Sequence, residues 1–231
     1  RKIYARWPKP RQFERNLIVI GGGAGGLVSA YIASAVKASV TLVEGHKMGG
    51  DCLNFGCVPS KALIRSAKMA KQLHKAEELG FTGTQGAVDF AAVMRRVHRV
   101  IADIAPHDSV ERYTNLGVDV VQGHARITGP WSVEITRSDG SQQTLTTRNI
   151  VIAAGASPFV PPIPGLEHTG YLTSDTVWGL TELPRRLVVL GGGPIGSELA
   201  QSFARLGAMT TQVEMAERIL VREDPEVSEL V

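Results

Sequence analysis

Two cysteines separated by four residues carry the most reactive chemistry in this chain. Cys52 and Cys57 are its only cysteines, and they lie in the stretch GGDCLNFGCVPSKALIRSAK (49–68). Bonded cysteines have Cα atoms roughly 4.4–6.8 Å apart, a distance that neither an extended strand nor a regular helix gives comfortably over this separation. The sequence therefore predicts a chain that curls as it enters a helix, where Gly56 supplies the conformational freedom.

A helix after the cysteines would bring a thiol and a lysine together. The pattern is helical from Val58 to Leu79, and Gly80 is the expected C-cap. Cys57 then lies at the N-terminus of this helix, where the helix dipole stabilises a thiolate. Lys61 follows one turn later on the same face, because side chains at positions i and i+4 of a helix are neighbours.

The residues alone leave three other roles open for the cysteine pair. A zinc site needs about four ligands, and no pair of histidines lies near Cys52 and Cys57 in the sequence. A purely structural disulfide is a second role, although closing so small a loop contributes little stability. The third is a pair of buried, unreactive thiols.

Two glycine-rich segments repeat one construction 170 residues apart. LIVIGGGAGG (17–26) and LVVLGGGPIG (187–196) are each a short apolar run that ends in glycines. The three glycines of the motif match at this offset, and so does an acid that ends the next strand-like run. The matching pairs are Gly21 and Gly191, Gly23 and Gly193, Gly26 and Gly196, and Glu44 and Glu214. Two such units with the same spacing to an acid are more specific than one GxGxxG motif.

Each unit is typical of a dinucleotide-binding turn. The first glycine makes the tight turn, the second lets the backbone approach a pyrophosphate, and the third allows the helix to pack closely on the strand. The acid accepts hydrogen bonds from ribose hydroxyls and repels a ribose phosphate, so Glu214 favours NAD(H) over NADP(H), with Arg218 close enough to oppose it. The alternative is that Glu44 and Glu214 are solvated residues at strand ends.

The cysteine segment resembles a known redox signature. GGDCLNFGCVPSK (49–61) is similar to the motif of the class I pyridine nucleotide-disulfide oxidoreductases, which include dihydrolipoamide dehydrogenase, mercuric reductase and glutathione reductase. The similarity covers nearly the whole chain beyond the N-terminal arm, including IVIAAGASPFVPPIPG (150–165) and GGGPIGSELAQSFARLG (191–207). Together with the repeat, it implies an α/β, doubly wound, Rossmann-like FAD/NAD(P)-binding fold with a small antiparallel β-meander.

The resemblance implies catalytic roles for four residues. Cys52 would exchange with the acceptor, and Cys57 would be the thiol facing the flavin. Lys61 would pair with Glu198 beside flavin N5, whereas the residues alone also allow Glu198 to be a first-turn acid that complements a helix dipole. Electrons would pass from NADH through FAD to the disulfide of Cys52 and Cys57, and then to a small-molecule or disulfide acceptor.

The resemblance also implies a set of FAD contacts. Glu44 would hold the adenosine ribose of FAD, and the backbone of the GHA segment ending at Ala125 would pass the adenine. The further residues expected to contact the cofactor are Gly50, Asp51, Ala153 and Gly155.

Several positions depart from the family pattern. Asp51 stands where the family usually has threonine, which puts a carboxylate beside Cys52 and would oppose thiolate formation. Ala154 replaces a second threonine. Ala24 and Tyr31 stand where glutathione reductases carry serine and arginine, which argues against glutathione as the substrate.

The charge distribution argues against a nucleic-acid partner. The formal net charge is +3, but residues 1–15 hold six basic residues and one acid, and the remainder has a net charge of −2. This arm, RKIYARWPKPRQFER, resembles the linker of bacterial flavoproteins whose N-terminal portion is a SNARE-associated-Golgi-type membrane domain. We therefore expect a cytoplasmic redox site tethered to a membrane through such a preceding domain, with a disordered basic leader as the alternative.

The sequence divides into three parts. Residues 1–15 are the basic arm, 16–157 the predicted FAD-binding domain and 158–231 the start of an NAD-binding domain. An amphipathic helical stretch is expected over 89–115, before short strands with a hairpin turn at Asp139-Gly140.

The family's dimerisation domain, with its His–Glu acid/base dyad, is not found in the sequence up to Val231. We therefore expect a homodimer for the full-length protein and no activity from this portion alone. A non-catalytic FAD-binding module is the competing function. The presence of all four catalytic residue types argues against it, since a degenerate relative would be free to lose any of them.

Overall fold

The computed structural model describes residues 4, 6–83 and 86–231. Arg1 and Lys2 of the predicted basic arm lie outside the described residues. The chain divides into two compact units, one of Arg1–Asn54 with Ala102–Ser157 and one of Phe55–Ile101 with Pro158–Val231.

The described chain contains two strand–helix–strand units, separated by a run of helices and a run of strands. The strands are β1 (Arg15–Ile20), β2 (Val40–Glu44), β3 (Val118–Gln122), β4 (His124–Gly129), β5 (Ser132–Thr136), β6 (Gln142–Ile152), β7 (Arg186–Leu190) and β8 (Met209–Val213). The α-helices are α1 (Ala24–Ala35), α2 (Gly50–Asn54), α3 (Cys57–Lys75), α4 (Phe90–Ile104), α5 (Val110–Asn115), α6 (Pro194–Leu206) and α7 (Pro225–Leu230). The two strand–helix–strand units are β1-α1-β2 and β7-α6-β8.

The first unit is built on a six-stranded sheet with the order β3-β2-β1-β6-β5-β4. Strands β3, β2, β1 and β6 run parallel, and β6, β5 and β4 pair antiparallel. The first four residues of β2, Val40–Val43, are all buried, as expected for a parallel strand covered on both faces. The 11-residue β6 joins the two parts of the sheet, which confirms the predicted Rossmann-like fold with an antiparallel meander.

The predicted helix over 89–115 is wrong in its extent, because the structure breaks it into three pieces. α4 ends at Ile104, a 3-10 turn covers Ala105–Asp108, and α5 begins at Val110. Pro106 brings no N–H to continue a helix. Ser109 then caps α5, since its Oγ accepts a hydrogen bond from the N–H of Arg112 at 3.1 Å.

Two other local predictions are confirmed, and a third is wrong in its extent. Asp89 caps α4 by accepting a hydrogen bond from the N–H of Ala92 at 2.9 Å. The helix predicted to run to Leu79 ends at Lys75, and Gly80, with a φ of +86°, caps the 3-10 turn Glu77–Leu79 that follows it. At the hairpin, Gly140 has a φ of +82°, and Asp139 accepts hydrogen bonds from the backbone N–H and hydroxyl of Ser141.

The second unit repeats the strand–helix–strand construction with β7, α6 and β8, and its two strands are parallel. α3 and α4 contribute to the same hydrophobic core as α6. Large residues of this core include Leu63, Phe90, Trp178 and Phe203, and each is at most 5% exposed. The core therefore fixes α3, which begins at Cys57, against the helix that carries Glu198.

The described part of the N-terminal arm lies on the meander of the first unit. Tyr4 makes an edge-on ring contact with Trp131 at 5.6 Å between centroids, and the ammonium of Lys9 lies 5.7 Å from the same ring. Arg148 lies 5.3 Å from the ring of Phe13. None of the helices that the structure describes has both the length and the apolar character needed to cross a bilayer.

Candidate active site and nucleotide-binding turns

The first glycine turn connects β1 to α1. Gly21 has a φ of +107°, and a Cβ there would clash with the carbonyl oxygen of Ala153. A Cβ at Gly26 would clash with the carbonyl oxygen of Gly21, so this glycine lets α1 approach the end of β1. At Gly23, the N-cap of α1, the nearest atom to such a Cβ is the Cα of Gly50 at 3.6 Å. The backbone is thus accessible where a pyrophosphate would approach.

The second glycine turn, between β7 and α6, has the same construction. Gly191 has a φ of +109°, and a Cβ at Gly196 would clash with the carbonyl oxygen of Gly191. A Cβ at Gly193 would lie in open space. The repeat seen in the sequence is therefore also a repeat of backbone geometry.

Each acid accepts the same two hydrogen bonds, one from its glycine turn and one from the residue two positions after the acid. Glu44 accepts hydrogen bonds from the N–H of Gly22 at 2.5 Å and of His46 at 2.6 Å. Glu214 accepts hydrogen bonds from the N–H groups of Gly192 at 2.6 Å and Ala216 at 2.9 Å. Both carboxylates are therefore held at the glycine turns.

The surroundings of Glu214 favour the ionised form of its carboxyl group. The N–H of Ala216, followed by that of Gly192, holds the pKa of the Glu214 carboxyl below its usual value. Arg218 is occupied elsewhere, since its guanidinium donates to the carbonyls of Val221 and Glu223 at 3.1 and 3.0 Å and to the hydroxyl of Ser228. A substituent on a bound ribose would therefore meet the negative charge of the Glu214 carboxylate at this turn.

The half-buried Cys52 lies in α2, whose first residue packs against the first glycine turn. Gly50 has a φ of +54°, and a Cβ there would come within 2.5 Å of the Cα of Gly23. The side-chain amide of Asn54 donates to the carbonyls of Met48 and Gly50 at 3.0 and 2.8 Å, which secures the segment. Asp51 is exposed in the first turn of α2.

Three further predicted cofactor residues lie along the same unit. The N–H of Ala153 donates to the carbonyl of Ile20 at 2.8 Å, so this residue borders the first turn. Ala125 lies in β4, and the N–H of Gly123 just before this strand donates to the carbonyl of Glu44 at 2.8 Å. Gly155 has a φ of +72°, and a Cβ there would lie in open space.

The first unit fits a dinucleotide such as FAD on these observations. An accessible turn, an oriented acid and the β4 segment lie at one end of the parallel strands, where ligands bind in open α/β sheets.

Cys57, Lys61 and Glu198 lie in the second unit. Cys57 is exposed and is the first residue of α3, and Lys61 follows one turn later. The ammonium of Lys61 lies 2.7 and 2.6 Å from the two carboxylate oxygens of Glu198. Glu198 is not in the first turn of α6, which begins at Pro194, so its alternative role as a first-turn acid is wrong.

Two features of this site were not predicted from the sequence. The middle glycines, Gly22 and Gly192, donate to the acids, and their matching positions in the repeat were a usable signal. Trp178 donates its indole N–H to the carbonyl of Phe55 at 2.7 Å, across 123 residues of chain, and no motif marks either residue.

Comparison with known proteins places these features in context. The Pyridine nucleotide-disulphide oxidoreductase family matches residues 15–231. Mercuric reductase from Lysinibacillus sphaericus is 36% identical over 219 residues, which is 94% of this chain and 39% of that protein. Dihydrolipoyl dehydrogenase from Chlorobaculum parvum is 38% identical over 217 residues, which is 93% of this chain and 45% of that protein.

A solved structure shows the same fold. The Cu(II) complex of the HOCl-induced flavoprotein disulfide reductase RclA from Escherichia coli has a TM-score of 0.78 and 28% sequence identity. The match covers 94% of this chain and 46% of that one. The chain therefore spans less than half the length of each of these three relatives.

Proposed function

The chain belongs to the pyridine nucleotide-disulphide oxidoreductase family, and on that premise we propose that the full-length protein is an FAD-dependent oxidoreductase. It would take electrons from NADH and pass them through a disulfide of Cys52 and Cys57 to an acceptor that is a small molecule or another disulfide. The observation that carries this proposal is the ion pair of Lys61 with Glu198, on the helix that begins at Cys57.

The exposure of this ion pair supports a functional role. The side chains of Lys61 and Glu198 are 60% and 40% exposed, and exposed ion pairs contribute only about 0–1 kcal/mol to stability. Both carboxylate oxygens lie within hydrogen-bonding distance of the ammonium. The pair therefore fixes the position of a cation one turn from a thiol, with little consequence for folding.

The thiol chemistry balances with two electrons. Reduction with two electrons breaks the S–S bond between Cys52 and Cys57 and leaves two thiol groups. The Cys52 thiolate attacks a sulfur of the oxidised acceptor and forms a mixed disulfide, which releases one acceptor thiol. Cys57 then attacks the Sγ of Cys52, which re-forms the internal disulfide and releases the second thiol.

Family membership implies flavin binding and the use of a pyridine nucleotide. When bound, FAD would accept a hydride from NADH and relay two electrons to the disulfide. Residues of the first unit would hold it: the accessible backbone at Gly23 would face the pyrophosphate, and Glu44 would bind the adenosine ribose. Asp51 adds a negative charge beside Cys52, which would slow thiolate formation there.

We assign NADH rather than NADPH as the donor. Glu214 is held at the second turn by two backbone N–H groups, and a carboxylate there repels a 2′-phosphate. The guanidinium of Arg218 donates to backbone carbonyls and a hydroxyl of a neighbouring segment, so it is not available to bind a 2′-phosphate. By this assignment 16–157 would form the FAD-binding domain, and 158–231 would begin the NAD-binding domain.

The partners of the full-length protein are a further part of the proposal. We propose a homodimer for the full-length protein, as the family resemblance of the sequence implies. For the arm, we propose a preceding membrane domain that tethers a cytoplasmic redox site. The composition of the arm supports this, because it combines six basic residues with Tyr4 and Trp7, and tyrosine and tryptophan settle at membrane interfaces while lysine and arginine are retained on the cytoplasmic side.

Anaerobic titration of the full-length protein tests the function. We expect one FAD per chain, and we expect NADH to convert the disulfide into two thiols that a thiol reagent can count. A protein that binds FAD without gaining thiols would instead be a non-catalytic flavin-binding module. A protein that binds no flavin would refute both functions.

A further inference from the structure

A buried tryptophan holds the backbone just before Cys57. Trp178 is only 5% exposed and lies in the 3-10 turn Val177–Gly179 of the second unit. Its indole Nε1–H donates to the carbonyl of Phe55 at 2.7 Å. The segment that enters the helix of the reactive thiol is therefore held by a side chain distant in sequence.

The tryptophan is itself held on its other side. The Nε2 of His98, in α4, lies 3.0 Å from the carbonyl oxygen of Trp178. A carbonyl only accepts hydrogen bonds, so this nitrogen carries the proton. A chain of two hydrogen bonds thus runs from α4 through Trp178 to Phe55.

The N-cap of α3 is Gly56, which has no side chain to cap the helix. The N–H of Ser60 donates to the carbonyl of Gly56 at 3.1 Å, and the hydroxyl of Ser60 donates to the carbonyl of Cys57 at 3.3 Å. Glycine restricts its own backbone only weakly, so the bond from Trp178 to the Phe55 carbonyl limits the conformations open to the chain just before the helix.

We propose that Trp178 is a positioning residue for Cys57. By fixing the Phe55 carbonyl, the indole N–H sets the direction in which the thiol leaves the first turn of α3. This inference rests on the proposed function, since it takes Cys57 to be a reactive thiol. Lys61 lies one turn from Cys57 on the same helix, and a thiol reacts at a rate that depends on its position relative to such a charge, so a loosened entry lowers the reactivity of the thiol.

The substitution Trp178→Phe tests this inference, because it removes the N–H and keeps an aromatic ring in the core. Phe90→Leu is the matched control, since Phe90 belongs to the same core, is also 5% exposed and lies at the start of α4. Because Cys57 would face the flavin, the full-length protein is freed of flavin and reduced before alkylation, so that the exposed thiol is open to the reagent. The measurement is the rate at which iodoacetamide alkylates Cys57 in the reduced full-length protein at neutral pH, followed by mass spectrometry of the peptide.

We expect the rate for Trp178→Phe to fall at least about threefold below wild type, and Phe90→Leu to stay close to wild type. In the flavin-loaded protein, the long-wavelength absorbance of the two-electron-reduced state should weaken in Trp178→Phe alone. Equal alkylation rates in the two variants would overturn the inference, because the tryptophan would then only fill space.

A second variant covers the case in which Trp178→Phe does not fold. His98 is exposed, so His98→Ala should fold and should slow alkylation in the same direction by a smaller factor. A wild-type rate for His98→Ala in that case rejects the inference. Failure of the proposed function is separately visible, since it would show as a wild-type protein without a reducible disulfide between Cys52 and Cys57.

Discussion

Replacing Glu198 by glutamine removes the charge that faces Lys61 and keeps the size of the side chain. At 2.6 Å between Lys61 Nζ and Glu198 Oε2, two unit charges in bulk water attract by about 1.6 kcal/mol. The pair is 60% and 40% exposed, and measured values for exposed pairs are about 0.2–1 kcal/mol because side-chain entropy and solvent screening oppose the attraction. Glu198→Gln should therefore cost at most about 1 kcal/mol of unfolding free energy, or roughly 2–4 °C in Tm.

The effect on electron transfer should be larger than the effect on stability. If the ion pair orients the lysine toward the reacting centre, its loss should slow reduction of the flavin by NADH at least about tenfold, which corresponds to about 1.4 kcal/mol of activation free energy. Stopped-flow absorbance of the full-length protein gives the rate, and thermal unfolding of the same samples gives the stability.

The ion pair of Arg126 and Glu134 provides the matched control. Its charged atoms are 2.8 Å apart, the arginine is 71% exposed, and the pair lies in the β-meander. Glu134→Gln should lower the stability by a similar small amount and leave the reduction rate unchanged. A Glu198→Gln protein that reduces its flavin within about twofold of wild type would refute the functional role, as would equal slowing in both variants.

Three further outcomes are expected. Cys57→Ser should abolish the long-wavelength thiolate–flavin absorbance that the family resemblance implies, while Cys52→Ser should retain it; the reverse pattern in reduced spectra would exchange the two roles. NADH should be preferred over NADPH by about tenfold or more in kcat/KM. Because the pKa of Glu214 is lowered, its charged form persists on acidification, so this preference should hold down to about pH 5, and comparable kcat/KM values would reject it. Fractionation of the native full-length protein should find it with membranes, and a wholly soluble protein that begins near Arg1 would end the tether proposal.

The fold was predictable where the sequence repeats itself. Both glycine segments follow apolar runs, and the shared spacing to Glu44 and Glu214 was enough to place two strand–turn–helix–strand units. The glycines could be assigned because their roles are steric, and steric roles restrict residue type strongly. The hairpin was also predictable, since an Asp-Gly pair such as Asp139-Gly140 between two alternating strands is typical of a hairpin turn.

The sequence was less informative where contacts are distant. The stretch 89–115 keeps a helical pattern, and its break depends on Pro106 and on a competing cap at Ser109. β6 pairs in parallel with β1 and antiparallel with β5, and the pairing with β1 joins segments that are distant in the sequence. The bond from Trp178 to Phe55 joins residues 123 positions apart, and the accepting group is a backbone carbonyl that any residue would supply. No pattern of residue types can reveal such a contact.

By the role proposed for Glu44 and Glu214, local chain geometry orients two ribose-binding acids before any ligand arrives. An ionised carboxylate has roughly four acceptor positions, and each of these acids uses two of them on backbone N–H groups at fixed positions along its own unit. The N–H of the middle glycine turns the carboxylate toward the turn, and the N–H two residues after the acid holds its other oxygen. The remaining acceptor positions are left for hydroxyl groups, so a ribose would meet an acid that is already oriented. Because the arrangement needs only a glycine turn, a strand and an acid at set spacing, it recurs intact 170 residues later.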